Sequence, residues 1–283
     1  MPALVLLAPE PLAGKTTVAA GIARRLISQG KSVAVSRLGN EGNAEADKAF
    51  VASLSSIGQT PQVTIAEAPA GKPDAEGKAV VVADAAMVAG DIASFCAPLA
   101  GRLAGVVLNR VPQRRVAAVK AAAEEAGIKV VCLLPEDRLL ASPTLGDVAD
   151  ALTAEAMFFD SNGERPLDNT LIASISADPG QGYFVRTGAN TVIVRSDKPD
   201  LQLAALNAGA SAMIVTGDLP LLGYVLDRAE EDAIPLLRTK LDTVGAVKTI
   251  EALYASRPFG GGREKLERAA ELMGEMDLAS LLS

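Results

Sequence analysis

The sequence predicts an α/β protein, with a doubly wound, mostly parallel sheet in its first half and a smaller α/β domain in its second. Three observations predict it. Short apolar runs recur without the polar alternation of a half-exposed strand, so the strands are buried on both faces. Segments with helical spacing separate those runs. The apolar residues are mainly Ala, Val, Leu and Ile: 49 % of the chain is hydrophobic and only 3 % aromatic.

The elements follow in order. Residues 3–8 form a buried strand that Pro9-Glu10-Pro11 stops. Residues 16–28 carry Val18, Ile22 and Leu26 on one helical face, and Gly30 follows as a natural end residue. Residues 31–36 and 62–67 are strands, 43–54 a helix, and 70–78, rich in Gly, Pro and charge, a surface loop. Strands at 79–84, 104–109 and 128–134 alternate with helices at 90–102, 113–126 and 145–155.

Around residues 156–167 the pattern stops, and Phe158 to Pro166 is turn-rich. The reading is therefore a first domain at 1–157, a linker at 158–166 and a second domain at 167–283. That second half opens with a strand at 170–175. Three strand–helix units follow: 191–194 with 198–208, 211–215 with 220–231, and 234–237 with 242–254. A Gly-rich joint then leads into a terminal helix at 263–281.

Composition removes whole classes of function. There is no histidine, which excludes Ser-His-Asp and Cys-His catalysis and His-ligated zinc. Two cysteines, Cys96 and Cys132, make neither a zinc site nor a disulfide framework and read as buried free thiols. The net charge of −7 argues against a nucleic-acid or anionic-membrane partner, and the scarcity of aromatics removes base-stacking platforms. The opening apolar run is too short for a signal or membrane span, so the expected location is cytoplasmic.

The motif with chemistry stands directly after the first strand, Ala8-Pro-Glu-Pro-Leu-Ala13-Gly14-Lys15-Thr16-Thr17, with a helix at once behind it. Backbone N–H groups from Ala13 to Thr17 point at a phosphate there, and the helix N-terminus adds positive potential. Lys15 neutralises phosphate oxygens, and the Thr16 hydroxyl is placed to hold Mg²⁺. Pro9 and Pro11 each remove a donor and stiffen the loop.

This segment resembles the variant P-loop of the dethiobiotin synthetase-like ATPases, above all the form at the N-terminus of some bacterial phosphotransacetylases. Gly105-Val-Val-Leu-Asn109-Arg-Val-Pro112 resembles the strand whose Asn reads adenine in that superfamily, which implies that role for Asn109. Leu134-Pro135-Glu-Asp-Arg138 resembles the segment after its last core strand and implies Pro135 as a nucleotide neighbour. The resemblance also implies ATP with Mg²⁺, with Asp47 and Glu67 joining Thr16 around the metal. Where the family carries a lysine after the second strand, this chain has Arg37, which still pairs with phosphate.

The second half is similar to the DRTGG domain that adjoins this ATPase-like domain in the same proteins. The match runs through Val192 to Ala205, Ala212 to Gly217 and Asp242-Thr243, although the literal string is absent. The resemblance implies a nucleotide-dependent regulatory or sensor protein with a small-molecule effector, associating as a homodimer. The competing reading is an ATP-dependent ligase or cyclase of the dethiobiotin synthetase or cobyrinate a,c-diamide synthase type. That chemistry needs positioning and charge neutralisation but no histidine.

Overall fold

A computed structural model describes residues 3–38, 50–56, 58, 60–173, 177–188, 190–256 and 259–283. The chain divides into two compact units, Met1–Leu140 with Pro258–Ser283, and Ala141–Arg257.

In chain order, the first unit contains β1 (Ala3–Leu7), α1 (Lys15–Ser28), β2 (Val33–Arg37), β3 (Val63–Glu67), β4 (Lys78–Asp84), α2 (Ala89–Cys96), β5 (Leu103–Val111), α3 (Val116–Glu125) and β6 (Val130–Pro135). The second contains α4 (Leu145–Ala151), β7 (Glu155–Met157), β8 (Thr170–Ile172), α5 (Ala177–Thr187), β9 (Thr191–Arg195), α6 (Pro199–Asn207), β10 (Ala212–Thr216), α7 (Gly223–Glu231), β11 (Leu236–Thr239) and α8 (Thr243–Ser256). The chain then returns to the first unit with α9 (Arg263–Leu272) and α10 (Leu278–Leu282).

The first sheet is wholly parallel in the order β2-β3-β1-β4-β5-β6. From β1 the chain winds one way to β2, and from β4 the other way to β6, so the carboxyl end of β1 opens at the switch point where α/β ligands collect. Burial on both faces is visible in β1 itself. Leu4 and Leu6 pack with Val18, Ile22 and Leu26 of α1, whereas Val5 and Leu7 pack with Ile92 and Cys96 of α2. The doubly wound expectation is met.

The second sheet has the order β7-β11-β10-β9-β8, with only β7 antiparallel. Val192, Val194 and Met213 face Leu201, Ala205 and Val225 of α6 and α7, and Ile193 and Ile214 face Ala246 and Ile250 of α8.

The expected boundaries differ from those observed. Residues 158–166 do not link two domains but belong wholly to the second unit. Leu145 N donates to Arg165 O (2.8 Å) and Leu167 N to Pro143 O (2.8 Å), pinning the segment beside α4. The second unit starts instead at a capping box. The Thr144 hydroxyl accepts from Asp147 N (3.1 Å) while the Asp147 carboxylate accepts from Thr144 N (3.0 Å). The helix expected at 145–155 ends at Ala151, and Glu155–Met157 pair as β7 against β11, where Glu155 meets Arg238 at 3.2 Å.

At the other end, 258–283 belongs to the first unit, not the second. Met273, Met276, Leu278 and Leu281 enter the core beneath α1. Arg25 donates to the carbonyl of Met276 (2.8 Å) and to that of Met273. The approach is close because Gly21 of α1 has no side chain: a Cβ there would lie 2.6 Å from Met273 Sδ and 2.9 Å from Ala269 O. The single terminal helix expected is two, since Gly274 interrupts it and Asp277 caps the second by accepting from Ser280 N (3.1 Å).

Both cysteines are free thiols. Cys96 is buried and Cys132 half-buried, and burial pushes each up to about 11, so neither is a thiolate at neutral pH. Among the described residues no helix is long and apolar enough to cross a membrane.

Candidate functional site

The loop after β1 runs in turns from Ala8 to Gly14 and enters α1 at Lys15. Gly14 is the N-cap residue with φ 101°, a left-handed conformation open to glycine at little cost. No side chain caps the helix, and its first turn carries no acidic residue. Its N-terminal amides and positive dipole end are therefore not answered by a carboxylate of its own, which is the arrangement that receives an anion.

The loop is braced from β5, two strands away. The Asn109 amide, buried at 9 % exposure, donates from Nδ2 to Ala13 O at 2.9 Å. It lies so close under the turn that a Cβ on Gly14 would stand 2.1 Å from Nδ2. The next residue, Arg110, takes a positive φ of 56°, donates to Leu12 O and pairs with Asp84 at 3.0 Å. The resemblance implied an adenine-reading Asn109; here one N–H of its amide is bonded to the loop backbone at Ala13 O. Arg110 ties the loop to the ends of β4 and β5. Its place at the end of a long apolar strand, on the same sheet edge as the motif, was the signal for a structural task.

On the other side of the loop a polar triangle forms. Arg37 ends β2 and Glu67 ends β3, and strand register puts them side by side. Leu6 of β1 is the opposite neighbour of Glu67, which brings the first turn of α1 over the same spot. Thr16 Oγ1 donates to Glu67 Oε2 at 3.0 Å, and Arg37 Nη2 donates to both oxygens at 3.2 Å. The Glu67 side chain is 2 % exposed, and its Oε1 has no hydrogen-bond partner among the described residues.

Burial pushes the Glu67 carboxyl above its usual range. The Arg37 guanidinium, the Thr16 hydroxyl and, at longer reach, the Lys15 ammonium each pull it back only in part. The folded protein therefore keeps a proton that the unfolded chain has already released as pH rises past about 4.5. Stability should fall as pH climbs from there through the folded value of Glu67, and level off above it. Denaturant unfolding across that window should show this loss in the wild type and its absence in Glu67→Gln; an identical slope in the two proteins would remove Glu67 as its source.

Of the residues expected at the site, the structure gathers Ala13, Gly14, Lys15, Thr16, Thr17, Arg37, Glu67 and Asn109 around one turn. Pro135 ends β6, three strands from β1, and pairs in register with Val111. Asp47 lies outside the described residues. Asp84, at the end of β4, is held by Arg110 at 3.0 Å and accepts from Ala86 N at 2.8 Å.

Among the described residues, the donors Thr16 and Glu67 do not fit the Mg²⁺ that the resemblance implies. The two oxygens it would share, Thr16 Oγ1 and Glu67 Oε2, are already bridged by one guanidinium nitrogen.

In the second unit the strand-to-helix turns are internally satisfied. Asp197 pairs with Arg195 at 2.5 Å rather than capping α6, whose N-cap is Lys198. The Thr216 and Thr243 hydroxyls bond each other at 2.9 Å. Gly217 (φ 100°) fits closely over Ser196 Oγ, 2.7 Å from where a Cβ would stand.

Comparison with known proteins agrees with this division. Residues 13–146 match the CobQ/CobB/MinD/ParA nucleotide binding domain family, and residues 147–253 match the DRTGG domain family. Among solved structures, the CBS and DRTGG domains of the regulatory region of Clostridium perfringens pyrophosphatase, complexed with the activator diadenosine tetraphosphate, are 19 % identical at a TM-score of 0.34. That alignment covers 40 % of this chain and 48 % of the other, so the chain spans about half the length of that relative. The YdjI aldolase from Escherichia coli K12 is 11 % identical over 97 % of this chain and 91 % of its own, at a TM-score of 0.18.

Proposed function

We propose that this chain, a P-loop NTPase-type domain followed by a DRTGG domain, is a nucleotide-dependent regulatory protein that takes ATP at the Ala13–Thr17 turn. The observation that carries the reading is the first turn of α1. It has a left-handed glycine cap, no capping side chain and no acid of its own, and Lys15 stands at its head. A polyphosphate supplies the negative charge this turn lacks.

Within this reading the β5 brace holds the turn in shape before ligand arrives, so little ordering cost falls on binding. Lys15 meets the phosphate oxygens as a point charge, and the amides of α1 fix their orientation. The second unit takes the role of effector domain, for a small molecule or for a second copy of the chain. Support for a binding role over a ligase comes from the triangle itself. Its only described carboxylate is held by Thr16 and Arg37 instead of facing a second substrate.

Calorimetric titration of the full chain with ATP tests the first part, with saturable binding as the expected result. Phosphate release over time, measured with and without added carboxylic acids, tests the second. Release should stay at the buffer rate throughout, and steady turnover with one acid would replace the regulatory reading by the ATP-dependent ligase.

A further inference from the structure

Two oxygens on one side of the phosphate turn are bridged by a cation that the chain itself provides. Arg37 Nη2 lies 3.2 Å from Thr16 Oγ1 and 3.2 Å from Glu67 Oε2, and the two oxygens are 3.0 Å apart. A divalent ion bound there would need both at roughly 2.1 Å, and so would need the guanidinium gone. Arginine does not give up its proton at any ordinary pH, so this charge is permanent.

The bridge is held in place by the strands themselves, since Arg37 and Glu67 are register partners at the ends of β2 and β3. The neighbouring strand offers no replacement carboxylate, since Asp84 is paired with Arg110 at 3.0 Å. The cation at the site is built into the β2 end and is held by strand register against β3.

We infer that Arg37 takes the place of the divalent cation, so that this phosphate site binds nucleoside polyphosphate without a metal. The inference rests on the nucleotide-binding reading above and specifies the ligand form: the free polyphosphate rather than its magnesium complex. Arg37 thereby determines specificity, by occupying the oxygens a metal would share and by presenting a second cation to the phosphates.

The test is calorimetric titration of the full chain with ATP, once with excess Mg²⁺ and once with EDTA. The wild type should bind with affinities that agree within about threefold in the two buffers. Arg37→Gln should bind metal-free ATP at least about tenfold more weakly and regain affinity when Mg²⁺ is added. Titration with Mn²⁺ alone, followed by its paramagnetic resonance signal, should show no uptake by wild type and uptake by Arg37→Gln. Because Arg37→Gln leaves a buried carboxylate without its counter-charge, the paired variant Arg37→Gln/Glu67→Gln keeps the test open. It should lose metal-free binding and gain no dependence on Mg²⁺. Wild-type binding that weakens tenfold or more in EDTA overturns the inference alone, as does unchanged metal-free binding by Arg37→Gln. Absence of wild-type binding in both buffers removes the nucleotide reading and the inference together.

Discussion

Lys15→Met is expected to erase the stabilisation that ATP gives the first unit. At a ligand concentration about a hundred times the dissociation constant, linkage adds about 2.7 kcal/mol to a folded state that alone binds ligand. For a unit of this size that raises the unfolding midpoint by roughly 5–10 °C. Lys15 stands at the head of α1, where the helix has no acid of its own. Each charge-assisted bond from its ammonium to a phosphate oxygen contributes about 1.5–3 kcal/mol. Losing them weakens binding by about a hundredfold, enough to flatten the shift at the same ligand concentration. The measurement is the midpoint of thermal unfolding with and without ATP for both proteins. A variant that shifts as far as the wild type would place the phosphates elsewhere.

The second large effect falls on Gly14. Its φ of 101° costs any other L-residue about 1–2 kcal/mol, and the added methyl would meet Asn109 Nδ2 at 2.1 Å. Overpacking of that kind costs a further 1–3 kcal/mol or so. Gly14→Ala should therefore destabilise the first unit by about 2–5 kcal/mol in denaturant unfolding and should lose ATP binding with it. The pair Gly14→Ala/Asn109→Ala relieves the clash but not the backbone strain, so it should recover about half the stability and little of the binding. Additive losses in that cycle would mean that Asn109 and the turn are not coupled.

Much of this could be read in the letters. The two-sided strands of the first unit announce themselves because burial on both faces leaves no polar position in Val80 to Val82 or Val106 to Leu108. The phosphate turn was legible because strand, Gly-Lys-Thr and helix stand in one unbroken stretch. Arg37 and Glu67 were legible as strand ends, yet their union with Thr16 depends on register between strands that are far apart in the chain. No local pattern reveals such a register.

The β5 brace was missed for the same reason. Asn109 reaches the turn across an intervening strand, and its amide looks alike in sequence whether it meets a base or a carbonyl. The helix α5 escaped notice because Pro179, Gly180 and Gly182 crowd its beginning. Pro179 falls within the first helical turn, where its missing N–H costs nothing. The boundary was misplaced because turn-rich composition marks a bend in the chain, and residues 158–166 bend within a domain rather than between two.

The return of α9 and α10 to the first unit makes the second one an insertion, tethered to its host at both of its ends. One cut cannot free either half intact. A proteolytic nick or stop codon near residue 257 would strip Met273, Met276, Leu278 and Leu281 from beneath α1. The casualty would be the half that holds the phosphate turn, more than a hundred residues upstream in the chain, while the half next to the break kept its own sheet whole.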